Sequence, residues 1–119
     1  MSLEIKESDW KAFKKAHPVA LTRYFDRAAA KIERLMAQND KTSQERFWDA
    51  ANFIKESVRE ASDLFDGSRR SRAAAQLMMI FANELLTAEE MAGFSPELRA
   101  RVESNRGFQA DHPKSNARR

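Results

Sequence analysis

The chain has no cysteine among its 119 residues. This absence excludes disulfides, zinc–thiolate clusters, iron–sulfur centres and a cysteine nucleophile, and it fits a reducing compartment. Long apolar runs are also missing, since the longest, at 77–82, is far below the ~20 residues that span a bilayer. Residues 1–15 alternate acidic and basic side chains without an apolar segment, so no secretory signal is expected. We therefore expect a cytoplasmic protein with no membrane partner.

Glycine and proline are scarce, with three of each in the whole chain. A β-sandwich or an alternating α/β fold needs many more turn residues, so this scarcity favours a few long helices. The abundant alanine, glutamate, lysine, arginine and leucine are strong helix formers. The glycines stand singly and far apart, which excludes a glycine-rich phosphate loop. The composition predicts an all-α protein with one hydrophobic core.

Capping signals predict where the first helices begin and end. Ser8 is the expected N-cap of a short N-terminal helix. That helix should end before Pro18, because the residue preceding a proline is pushed out of the α conformation. Pro18 itself suits the first position of a second helix, predicted over 18–37.

Two long helices should follow. The sequence Thr42-x-x-Glu45 is a capping box, in which a hydroxyl and a carboxylate satisfy two otherwise unpaired backbone N–H groups. The third helix that it opens should end at Gly67, a residue that tolerates the left-handed conformation. A fourth helix is predicted over 68–86, apolar around most of its circumference and therefore central in the fold.

The C-terminal part should form a helical hairpin and a tail. The capping box Thr87-x-x-Glu90 starts a short helix that Gly93 ends, and a last helix covers 95–104. Residues 105–119 carry four basic side chains against one acidic, so the whole formal net charge of +3 lies there. We expect a single helical domain at 1–104 and a disordered basic tail beyond it.

Apolar side chains recur at spacings of three and four along the long helices, which predicts a shared core. The expected architecture is a compact antiparallel helical bundle of three main helices, plus a short N-terminal helix and a C-terminal helical hairpin. The side chains expected to be buried are Leu21, Phe25, Ile32, Phe47, Ile54, Val58, Leu77 and Phe81.

The inner face of the third helix has two interpretations. Its apolar residues follow strict 4-3-4-3-4 steps, as in a coiled coil: Phe47, Ala51, Ile54, Val58, Ala61 and Phe65. A homodimer seam is one interpretation. The intramolecular core is the preferred one, because fewer than four heptads is short for a coiled coil.

Two groups of basic residues are candidate contacts for phosphate or for an acidic partner. The first is a strip on the second helix: Arg23, Arg27, Lys31 and Arg34. The second lies at the start of the fourth helix, where cations oppose the positive end of the helix dipole: Arg69, Arg70 and Arg72. A solvated helix face has the same pattern, so a purely structural interpretation stays open.

A candidate protein-binding surface is formed by apolar residues that are expected to point outward, since methionine and aromatic side chains adapt well to partners. These are Met79, Leu86, Met91 and Phe94. Glu84 falls near the phase of the apolar residues of the fourth helix and is a candidate buried carboxylate. A position near the helix end, reaching solvent, is the alternative for Glu84.

Catalytic chemistry has no residues to carry it in this pattern. The two histidines, His17 and His112, each precede a proline and lack a partner at metal-ligand or triad spacing. We therefore expect no cofactor and a non-enzymatic interaction or regulatory protein, of bacterial or phage type, that presents helix faces to a protein partner. The alternative is an accessory nucleic-acid-binding protein that uses the basic groups and the tail. An enzyme subunit whose active site is completed by another chain is a third possibility.

Overall fold

The computed structural model describes residues 5–111, with side chains described as far as residue 104. This part of the chain contains five helices and no strand, so the all-α prediction is confirmed. None of the five helices is both long and apolar enough to cross a membrane. The helices are α1 Glu7–Met36, α2 Ser43–Phe65, α3 Arg70–Ala82, α4 Ala88–Met91 and α5 Pro96–Asp111.

The first helix continues through its proline. α1 is one helix of 30 residues that follows an N-cap at Lys6, so the predicted short helix capped by Ser8 and ending before Pro18 is wrong. Pro18 lacks the N–H that would bond to the carbonyl four residues earlier, which costs helix stability. Packing on both sides offsets that cost, because Phe13 before the proline and Ala20 after it are both fully buried. Tertiary contacts here outweigh a local preference.

The boundaries of α2 agree with the capping signals. The Thr42 hydroxyl accepts from the Glu45 N–H at 3.1 Å, and the Glu45 carboxylate accepts from the Thr42 N–H at 2.9 Å. At the other end Gly67 has φ +64°, the left-handed conformation expected of it. The predicted capping box and the glycine stop are both confirmed.

The central position of α3 is also observed, although the helix ends early. Leu77 and Phe81 are buried as predicted, and six residues of the helix are buried, five of them in the hydrophobic core and the sixth being Gln76. The helix ends at Ala82 and not at residue 86, because the chain turns at Asn83 and Glu84, and Glu84 adopts φ +58°.

The C-terminal segment begins as expected and ends later. Thr87 and Glu90 form the predicted capping box of α4, and α5 starts at Pro96. α5 continues to Asp111, so the helix end expected near residue 104 is wrong. The remaining tail at 112–119, which includes His112, and residues 1–4 lie outside the described residues.

α1 and α2 lie side by side. The Tyr24 hydroxyl reaches the Ser57 carbonyl at 3.2 Å, and the Arg46 guanidinium donates to the Gln38 carbonyl at 3.1 Å. α3 packs chiefly on α5, and its contacts with the first segment of the chain extend from Ile5 and Glu7, which Arg70 reaches, to Arg27, which reaches Asn83. The radius of gyration is 16.6 Å, against about 13–14 Å for a compact domain of this length. The part of the α1–α2 pair beyond Arg27 therefore extends past the end of α3.

The observed core differs from the core that the sequence predicted. Leu21 and Ile32 are only partly buried, and the expected burial is wrong for four of the eight residues, which are exposed: Phe25, Phe47, Ile54 and Val58. These four residues lie on the side of the α1–α2 pair that faces away from α3, so α3 does not cover them.

Candidate protein-binding surface

α2 carries two parallel rows of side chains, and the less apolar row faces α1. The inward row contains a serine and a glutamate among its members: Ala50, Phe53, Ser57, Glu60 and Leu64. The neighbouring row is entirely apolar and comprises Phe47, Ala51, Ile54, Val58 and Ala61. In that second row Val58 is 65% exposed and Phe47 is 57% exposed. The heptad-like seam of the sequence is therefore largely a surface feature.

α1 contributes a matching row beside it. Tyr24 and Lys31 contact α2, through Ser57 and through the ring of Phe53. At about 100° per residue, the next row around α1 holds four apolar residues that are half-buried or exposed: Leu21, Phe25, Ile32 and Met36.

The two rows lie on the same side of the α1–α2 pair, opposite α3. Arg27 of α1 and Glu60 of α2 line a groove that also includes Asn83, at the end of α3. On each helix the row that contacts the other helix separates this α3 side from the apolar row. We call the eight-residue surface the open apolar face: Leu21, Phe25, Ile32, Met36, Phe47, Ala51, Ile54 and Val58.

Charged residues of opposite sign border the open apolar face. Asp26 and Glu33 lie along its α1 edge, seven residues apart on the side away from α2. Lys55 and Arg59 lie along its α2 edge, on the side away from α1. All four side chains are exposed. The face thus has an acidic edge and a basic edge.

The apolar residues expected to form a partner surface lie elsewhere. Leu86, Met91 and Phe94 are each 5% exposed or less, and Met79 is partly buried against the same core. Their predicted outward orientation is wrong. Leu86, Met91 and Phe94 follow the turn after α3, which breaks the helical phase, and α5 packs back onto α3. Glu84, the candidate buried carboxylate, is exposed in that turn, so its burial is wrong and the alternative, a position near the helix end that reaches solvent, is observed.

Two residues of the predicted basic strip donate hydrogen bonds to other groups of the same chain. Arg23 donates to the Leu85 carbonyl at 2.9 Å, and Arg27 donates to the carbonyls of Asn83 and Glu84. These carbonyls follow the C-terminus of α3, where backbone acceptors lack helical partners and the helix dipole favours cations. The two arginines therefore fasten α1 to the end of α3.

Arg23 also forms the best-defined ion pair. Its guanidinium donates to both carboxylate oxygens of Glu90, at 2.6 and 2.8 Å. These hydrogen bonds, together with the Thr87 N–H of the capping box, lower the pKa of Glu90 from its ordinary 4.5 to about 2. Glu90 thus stays ionised and holds α4 against α1.

The second basic group, at the start of α3, also bonds mainly to groups of the same chain. Arg70 donates to the Ile5 carbonyl at 2.9 Å and to Glu7 at 3.0 Å. Arg72 donates to the carbonyls of Asp66 and Gly67, at 3.2 and 3.4 Å. Arg69 is exposed at the N-cap position of α3. Two of the three side chains therefore secure neighbouring turns.

Lys31 and Arg34, the other members of the strip, line the groove on the α3 side. The Lys31 ammonium lies 5.2 Å from the centroid of Phe53, a cation–π distance. Tyr24 also lines this groove, and its hydroxyl donates to Glu60 at 2.9 Å. Burial is the main cause that raises the pKa of Tyr24 to about 12, and the Glu60 carboxylate adds to it. Tyr24 is therefore a neutral, structural donor at physiological pH.

One polar residue that sequence reasoning missed is Asp9, which is 3% exposed. Its carboxylate accepts from the Ser95 N–H at 2.7 Å and from the Ser95 hydroxyl at 2.6 Å. It thereby fixes the start of α5 on α1. The available signal was its spacing of four from Phe13, which places an acidic side chain on an apolar helix face.

His17 lies inside α1, not at a helix boundary, and its Nε2–H donates to the Phe65 carbonyl at 3.0 Å. Within the described part of the chain no three acidic or histidine side chains are grouped so as to hold a metal ion. Comparison with protein-family models, with curated proteins and with solved structures yields no match for this chain.

Proposed function

We propose that this protein is a non-enzymatic interaction or regulatory module that binds a helical protein partner through the open apolar face. The observation that carries the proposal is the orientation of α2, whose most apolar row faces solvent while a row with Ser57 and Glu60 packs inside. A monomeric domain gains stability by the opposite choice, since burying apolar surface is favourable and burying polar groups is costly.

The size of the face supports the same proposal. Phe25, Met36, Phe47, Ile54 and Val58 are between 42% and 65% exposed. Side chains of this size then expose ~100 Å² each, or ~500 Å² together, near the upper end for the largest apolar patch of a monomer. Such patches mark surfaces that bind proteins or membranes.

A helical partner fits the geometry of the face. Two helices side by side form one layer, and a layer that is apolar on one side is completed by a second layer of helices. The scaffold behind the face, in this proposal, is an antiparallel bundle around α3, with α4 and α5 as its C-terminal hairpin.

The nucleic-acid alternative receives less support from these contacts. Arg23, Arg27, Arg70 and Arg72 already donate to groups of the same chain. Phosphate binding through these four side chains would have to replace those internal hydrogen bonds.

The test is affinity capture from the source organism with the full chain, comparing Val58→Glu with Val19→Glu. Both positions are exposed valines, but Val19 lies on α1 away from the open apolar face. We expect wild type and Val19→Glu to retain a helical protein that Val58→Glu loses. Titration with that purified partner should show binding at least ~10-fold weaker for Val58→Glu.

Two results would contradict the proposal. One is a partner that all three chains bind with equal affinity, which would place binding elsewhere. The other is the recovery of nucleic acid without protein, which would favour the alternative. Circular dichroism of each variant serves as the folding control, and we expect unchanged helicity because both valines are exposed.

A further inference from the structure

We infer that the partner of the open apolar face is a second copy of this chain, paired so that α1 of each copy lies on α2 of the other. The two-fold axis runs parallel to the helices, between the two faces. The result is a four-helix bundle built from two α1–α2 pairs. This inference rests on the proposed function and names the partner of the same surface.

The levels of the residues along the two helices fit this pairing. Tyr24 contacts Ser57, and Lys31 contacts Phe53, so residues whose numbers add to about 81–84 lie at the same height. A two-fold axis parallel to the helices preserves height. Phe25 of one copy therefore meets Val58 of the second copy, and Met36 meets Phe47 in the same way. Between these two pairs Ile32 is level with Ala51, so a large residue meets a small one there.

The shape of the molecule permits the approach. The α3–α5 body lies on the opposite side of the α1–α2 pair from the open apolar face, as the Arg27 contact with Asn83 places it. In the dimer both bodies are therefore on the outside. The open apolar face of each pair, on the side away from α3, gains the second layer that a helix pair lacks.

The available area reaches what a specific dimer needs. Five side chains expose ~500 Å² on each copy, so two copies bring together ~1,000 Å² of apolar surface. That equals the lower limit for a specific interface before any polar edge is counted. The half-buried Leu21 and Ile32 and the charged edges add to it.

Charge decides between the two possible two-fold pairings. When α1 lies on α2 of the second copy, the acidic edge meets the basic edge. Asp26 is level with Ser57, so it falls between Lys55 and Arg59 of the second copy. If α1 were to lie on α1, the acidic edges would meet each other, and so would the basic edges. Complementary edges favour the first pairing and penalise the second.

The first experiment is sedimentation velocity of the full chain from about 1 to 100 µM, since dimerisation depends on concentration. We expect a species of twice the chain mass for wild type and for Val19→Glu. Val58→Glu should raise the dimer dissociation constant at least ~10-fold, because it buries two charges in the seam. A wild-type chain that stays monomeric throughout would overturn the inference.

The second experiment reverses the charges along the two edges of the open apolar face. Asp26→Lys places like charges together and should weaken the dimer, and adding Lys55→Asp and Arg59→Asp to the same chain should restore it. Asp63→Lys, at an exposed position of α2 outside both edges, is the control and should leave the dimer unchanged. A combined variant that does not recover dimerisation would overturn the pairing of the acidic edge with the basic edge.

The third experiment uses the absence of cysteine from the sequence. Phe25→Cys and Val58→Cys chains are mixed and oxidised, so any disulfide joins two copies. We expect the mixed disulfide to dominate, and a dominant link between two Val58→Cys chains would overturn the pairing. The proposed function is tested separately from the dimer. A monomeric chain that still binds another protein, with loss in Val58→Glu, would retain the function and reject only the second copy.

Discussion

The buried carboxylate of Asp9 gives a sharp test of how α1 and α5 are joined. Asp9→Ala removes two hydrogen bonds to an ionised acceptor, at 2.7 and 2.6 Å from the N–H and hydroxyl of Ser95. Such bonds contribute about 1.5–3 kcal/mol each, and the anion near a helix N-terminus adds about 0.5 kcal/mol. Because the Ser95 hydroxyl can bond to water once Asp9 is removed, we expect the free energy of unfolding to fall by about 3–4 kcal/mol.

Thermal and urea unfolding followed by circular dichroism measure this loss. For a chain of this length the change corresponds to a fall in Tm of about 10–20 °C. Asp9→Asn keeps one acceptor oxygen and should lose about half as much. The control is Asp63→Ala, an exposed carboxylate on α2, which should stay within about 0.5 kcal/mol of wild type.

A double-mutant cycle separates the Asp9–Ser95 interaction from general loss of packing. We expect Asp9→Ala and Ser95→Ala to be coupled by about 1–2 kcal/mol, since each removes the same hydrogen bonds. A loss below about 1 kcal/mol for Asp9→Ala would refute the reasoning. It would mean that apolar packing alone holds the start of α5.

Three further changes test other parts of the fold. The pKa of Glu90 lies below that of the unfolded chain, so its pairing with Arg23 stabilises the protein above about pH 4.5, and this is lost as pH falls toward 2. Because both side chains are over a third exposed, screening limits the loss to about 1 kcal/mol, and Glu90→Gln should remove this pH dependence from acid-unfolding curves. Pro18→Ala should stabilise by about 1–2 kcal/mol in urea unfolding, since it restores a helical N–H; a loss would show that α1 requires the proline. Gly67→Ala should cost about 1–2 kcal/mol by the same measurement, because φ is +64° and the new Cβ meets the Arg72 guanidinium at 2.9 Å; an unchanged midpoint would contradict that strain.

Local capping signals in the sequence predicted three helix ends. The Thr42 and Thr87 capping boxes and the Gly67 stop depend on hydrogen bonds within a few residues, and all three are present. The start of α1 and the ends of α3 and α5 were predicted wrongly. Pro18 is a further exception, since its local preference to end a helix is overcome by burial of Phe13 and Ala20 on either side. That compensation depends on residues far away in sequence, which a local signal cannot report.

The surface was harder to predict than the helices. Helical periodicity shows that Phe47, Ile54 and Val58 share one face, but it does not tell which element covers that face. The same limit applies to Arg23 and Arg27, which resemble a solvent-exposed basic strip until the end of α3 is placed beside them. Asp9 is a third case, because its partner Ser95 is 86 residues away.

The placement of α3 and α5 explains why the apolar row of α2 is left open. α3 ends beside Arg27, on the other side of the α1–α2 pair, and α5 packs on α3. Neither helix therefore covers the open side. A row that is apolar along α2 thus exceeds what the described helices bury among themselves. Either that row costs solubility without benefit, or another layer of helices covers it. The opposite charges along its two edges favour the second explanation, because a face that only tolerates solvent has no need of an acidic edge placed level with a basic one.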